Sequence, residues 1–184
     1  MSECDEEQKT QHHRGPGNGF GPVQDEEIIY FAVFEQTPVD GGKLALDSFD
    51  SKSMKRDGQS VSRASFTTRA VFDQDVVKAG ANPKGEIKGV SSALVQKVRS
   101  LQSPIKLNAS EVSVRSFCVL DHVLPGDYDS HATICFGERT TSHGAVVLSQ
   151  GQIKSIRQAA RLELADAFGP IRPIDDVEFA EDNI

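Results

Sequence analysis

The sequence predicts an α+β domain: a mostly antiparallel sheet of five or six strands covered by about three helices, with disordered acidic tails. Three observations carry this expectation. Short β-branched and aromatic runs recur along the chain, bounded by glycine, proline and serine. One long stretch near the C-terminus repeats its apolar residues at helical spacing. Both ends of the chain are acidic, whereas the middle is mildly basic.

Residues 1–27 carry seven acids, two bases and the glycine–proline stretch "GPGNGFGP", so the expectation is a disordered tail. "IIYFAVFE", 28–35, has the length and composition of a buried strand. Pro38 and Gly41–Gly42 mark a turn. "LALDSF", 44–49, fits a short strand or a helical turn, and 50–59 read as a surface loop. Val61, Arg63 and Ser65 alternate as in a strand. From Thr68 onward Val71, Phe72, Val76 and Val77 fall on one helical face, which predicts a helix over 68–79 stopped by Gly80.

Residues 85–90 read as a strand and 91–102 as a helix, with serine at its N-cap and Ala93, Leu94, Val98 and Leu101 as its apolar face. Strands are expected over 111–122, 131–136 and 143–148, the last two joined by a hairpin loop. Ile153, Ile156, Ala160, Leu164 and Ala167 then form the stripe of a helix over 150–168, widened by Leu162 and Phe168. Gly169–Pro170 ends it. Residues 173–184 carry five acids and no base, an acidic C-terminal tail. The expected folded body is therefore 28–172.

Bulk properties exclude several classes. The chain of 184 residues has a formal net charge of −7, and removing the two tails leaves a body of +3. Binding of nucleic acid by the intact chain is disfavoured, although a body masked by its own tails would fit a nucleic-acid accessory. Three cysteines, Cys4, Cys118 and Cys135, make no disulfide framework and point to a reduced, cytoplasmic setting in which Cys118 and Cys135 act as small apolar side chains. The polar, acidic start is not a signal peptide, and no apolar run spans a membrane. No phosphate-binding loop, dinucleotide fingerprint, nucleophile elbow or zinc spacing occurs, so the sequence names no cofactor and no metal.

Two constellations stand out. In "PGDYDSHATICF", 125–136, Asp127, Asp129 and His131 alternate, and Asp121 ends the preceding strand. A hairpin would bring Asp121 and His131 to one edge, with His131 as general base and Asp127 or Asp129 as its orienting carboxylate or as a ligand to a divalent metal. The same loop also suits turn chemistry at Pro125–Gly126. In "SRASFTTR", 62–69, Arg63, Thr67 and Thr68 surround a helix start and would suit an anion or phosphate group.

Three readings of function follow. The first is a cytosolic binding or regulatory module acting through a protein partner. The second is a small enzyme acting on a nucleotide or phosphate compound, which requires residues 60–69 and 121–131 to meet in space. The third is the tail-masked nucleic-acid accessory.

Overall fold

The computed structural model describes residues 20–56, 58–79, 86–107, 110–121, 130–137 and 150–181. Its strands are β1 (Ile28–Phe34), β2 (Val39–Asp40), β3 (Lys43–Leu44), β4 (Gln59–Arg63), β5 (Ile87–Leu94), β6 (Gln102–Leu107), β7 (Ser110–Arg115), β8 (Phe117–Asp121) and β9 (His131–Phe136). Its helices are α1 (Ser51–Arg56), α2 (Arg69–Ala79), α3 (Val95–Arg99) and α4 (Gln150–Ala167). Five strands form one antiparallel sheet in the order β5-β1-β4-β9-β8, so the expected α+β class holds. β2–β3 and β6–β7 are separate two-stranded ribbons.

β1 reads as a continuous apolar run because both its faces are covered. Ile29, Phe31 and Val33 enter the larger core with Val61, Val119, Ala132 and Ile134 of the neighbouring strands. Phe49, Met54 of α1, Val98 of α3 and Ala160 and Leu164 of α4 close that side. With no tryptophan to fill it, the centre is an aromatic triad: Phe49 lies 5.3 Å from Phe31 and 5.6 Å from Phe168. On the opposite face Tyr30 and Val90 meet Phe72 of α2, Val177 and Phe179.

Several expectations change. The helix expected over 91–102 is a strand through Leu94 and only a short helix over Val95–Arg99. Pairing along the whole of β1 overrides the local serine cap: Ser91 Oγ instead donates to Gly169 O at 2.7 Å. The single strand expected over 111–122 divides at Ser116, whose N–H donates to Leu101 O and whose carbonyl accepts from Gly137 N. The loop expected over 50–59 contains α1, opened by Asp50 Oδ1 accepting from Lys52 N and anchored by buried Met54. Leu162 is exposed and does not widen the α4 stripe. The strand expected over 143–148 lies outside the described residues.

The packed body is also wider than 28–172. Val23 and Val177 are buried, and the chain after Gly169 runs back along β5, with Val90 and Arg172 exchanging both backbone hydrogen bonds at 2.9 Å. Gly89 permits that approach, since a Cβ there would lie 2.5 Å from Arg172 O. Acidic composition hid the apolar anchors inside both expected tails. Finally, Cys118 is disulfide-bonded, contrary to the all-thiol expectation, and the described Cys135 keeps its thiol.

Candidate functional site

The alternation of β4 decides the fate of Arg63. Val61 faces the larger core, so Arg63, two residues on, points to the same side at the end of the sheet. A guanidinium only 1% exposed must find carboxylates and carbonyls there. Glu27 supplies a two-pronged partner: Arg63 Nε donates to Oε2 at 2.7 Å and Nη2 to Oε1 at 2.6 Å. Arg63 Nη1 donates to Gly21 O at 2.8 Å and reaches Asp121 Oδ1 at 3.5 Å. The Phe66 ring lies 4.7 Å from the guanidinium carbon, and Phe20 stacks on Phe66 at 3.8 Å.

A second arginine repeats the device. Arg99 Nη1 donates to Asp25 Oδ1 at 2.7 Å, while Nη2 donates to Val23 O at 3.0 Å and Val119 O at 2.9 Å. Together the two arginines bind residues 20–27 across the end of the sheet as a strap. Backbone bonds from Val95 N to Glu27 O and Gln96 N to Asp25 O, both 2.9 Å, fix its path.

Both threonine hydroxyls of the expected anion clamp are engaged by backbone. Thr67 is fully buried, its Oγ1 donating to Arg63 O at 2.7 Å. Thr68 Oγ1 accepts from Val71 N at 3.3 Å, the ordinary N-cap of α2. Arg69 at the same helix start pairs with Asp175 and Asp73, each at 3.0 Å. Its pKa is raised above the ordinary value, first by the hydrogen bond to Asp175, which with the hydrogen bond and charge of Asp73 outweighs the opposing desolvation.

His131 is placed differently. β8 and β9 do pair as a hairpin, with Asp121 opposite Ala132. Ala132, Ile134 and Phe136 therefore share the core face with Asp121 and Arg63. His131, Thr133 and Cys135 share the other face. The structure thus brings Arg63 and Asp121 together with Glu27, keeps Thr67 and Thr68 beside them in the chain, and puts His131 across the sheet. Asp127 and Asp129 lie outside the described residues.

His131 stands opposite Ser62 of β4. The bond from Arg63 N to Ser130 O marks the next pair as the hydrogen-bonded one, so Ser62 and His131 form a non-hydrogen-bonded pair, the closer type of side-chain neighbour. Ser60 and Thr133 repeat that arrangement two residues on. A polar strip of hydroxyl, imidazole and thiol groups results on this face. Among the described residues no three histidine, cysteine or acidic side chains stand together to hold a metal, and no helix is long and apolar enough to cross a membrane.

Sequence reasoning missed Glu27, Arg99 and Ser62. For Glu27 a signal existed: an arginine in register with buried Val61 requires a carboxylate nearby, and the acids at 25–27 directly precede the first strand. Comparison with protein-family models, curated proteins and solved structures finds no match to this chain.

Proposed function

We propose that this protein is a non-catalytic binding module that acts in the cytosol by docking a protein partner at the Ile28–Leu94 end of its sheet. The observation that carries the reading is an exposed apolar pair. Ile28 of β1 and Leu94 of β5 are directly opposite each other, 46% and 39% exposed. They end a face on which the next pair is buried Tyr30 with half-buried Ser92, and on which Val90 further along β5 is buried. The strap passes beside Leu94 and lines this end with Asp25 and the exposed Glu26. An apolar pair with an acidic rim suits a partner segment of apolar and basic residues. The engagement of Arg63, Thr67 and Thr68 by the chain itself supports binding over phosphate chemistry at that end.

The test is capture of partners on the full chain, wild type beside Leu94→Lys. The substitution removes apolar area and adds a charge that repels a basic partner. A partner retained by wild type and lost by the variant, then reproduced with both proteins purified, supports the reading. Equal retention by both contradicts it.

One observation favours a second reading. The Ser62–His131 pair is a place where an imidazole can act on a neighbouring hydroxyl or on a nucleotide or phosphate ligand. A rise in melting temperature with such a ligand, lost in His131→Ala, would support it.

A further inference from the structure

We propose that Cys118 and Cys135 are a redox-modification site, exchanging the present Cys118 disulfide for a cross-strand Cys118–Cys135 bond. The two residues are direct partners in the β8–β9 register and project on the same face. The bond from Gly137 N to Ser116 O makes Ser116 and Gly137 a hydrogen-bonded pair, so by alternation Cys118 and Cys135 are one also. Their Cα atoms are then about 5.5 Å apart, inside the range a disulfide spans. Opposed Cβ atoms in such a pair stand somewhat wider than the bond prefers, so it forms with a local shift and stays easily reduced, as regulatory disulfides are.

The chemical states complete the case. Cys118 is already in a disulfide, and it is buried. Cys135 carries a thiol, is half-exposed, and has Thr133 Oγ1 3.8 Å from its sulfur. Gly58 leaves room above it, because a Cβ at 58 would lie 2.8 Å from Cys135 Sγ. The remaining cysteine, Cys4, lies outside the described residues.

The step balances without an outside oxidant. The Cys135 thiol gives its proton to solvent, and the thiolate attacks Cys118 Sγ. The Cys118–Cys135 bond forms as the existing bond to Cys118 breaks, and the departing thiolate takes up a proton. When both cysteines begin reduced, oxidised glutathione supplies the two-electron oxidation and leaves as two thiols.

The test equilibrates the full chain in glutathione buffers from reducing to oxidising, quenches it with iodoacetamide and maps the peptides without reduction. Residues 116–139 contain no internal lysine or arginine, so trypsin leaves both cysteines on one peptide. Cleavage at aspartate separates them unless they are bonded. The expected result is a peptide lacking two hydrogens, unlabelled at both cysteines, whose aspartate fragments stay joined. Cys135→Ser must abolish it, and Cys4→Ser must leave it intact in the oxidising buffer. Oxidising buffers that yield only Cys118 bonded to Cys4 or to glutathione, with Cys135 fully labelled, would overturn the proposal.

Discussion

Arg63 shows how one buried charge organises the sequence around it. The guanidinium binds Glu27 with two short hydrogen bonds and sits beside Asp121, so truncating Arg63 leaves two carboxylates together in a desolvated place, and truncating Glu27 leaves the guanidinium with Asp121 as its remaining carboxylate at 3.5 Å. Breaking a buried pair in this way costs about 3–5 kcal/mol. Arg63→Ala and Glu27→Ala should each approach that loss in urea denaturation. The double variant should lose less than the sum, because the two residues act as one unit. Tyr30 gives a pH-dependent prediction. Burial, helped by Glu178 and opposed by Arg172, raises its pKa above the ordinary value. The folded state therefore keeps the phenol proton longer than the unfolded chain does. Its contribution is complete below pH about 10 and is lost as pH rises through the raised folded value. Tyr30→Phe should flatten that alkaline fall. It should also cost about 1 kcal/mol at neutral pH through the lost hydrogen bond to Glu178 O.

Elements divide by how local their cause is. β1, β9 and α4 are legible in the sequence because their own patterns decide them: a continuous apolar run, a clean alternation and a helical stripe. The alternation of β9 by itself puts His131, Thr133 and Cys135 on one face and Ala132, Ile134 and Phe136 on the other. Residues 91–102 are not legible, since "SSALVQKVRSLQ" carries a good helix pattern and only pairing with β1 makes its first part a strand. The strap at 20–27 is hidden for a related reason. Its folding depends on Arg63 and Arg99, which lie far along the chain and whose side chains give no local signal. The candidate site suffers most. Pairing Arg63 with Asp121 is foreseeable from strand ends, but the sheet face that separates them from His131 depends on the register between β4 and β9. That register also fixes Gly58, which has φ +87° and faces Thr133 and Cys135 too closely for a side chain. Gly58→Ala should destabilise the fold by about 1–3 kcal/mol through backbone strain, with steric cost added, read as a lower urea midpoint.

At the scale of the whole molecule the two faces of the sheet separate two kinds of chemistry. The core end holds a buried ion cluster and the strap. The opposite face presents the Ser62–His131 strip, the cysteine pair and, at its margin, Ile28 and Leu94. An enzyme built on Arg63 and His131 together would need groups on both sides of one sheet to reach a single substrate. Docking needs only the exposed margin and its acidic rim, and it should weaken with salt because exposed charges take part. Leu94→Lys should leave stability within about 0.5 kcal/mol, as an exposed substitution does, while removing the docking surface.

The most direct measurement is the affinity of a purified captured partner for the full chain, titrated at low and high salt with wild type and Leu94→Lys. Salt-sensitive binding by wild type that Leu94→Lys abolishes is the predicted result. Binding that ignores both the substitution and the salt would contradict the docking account and return attention to Ser62 and His131.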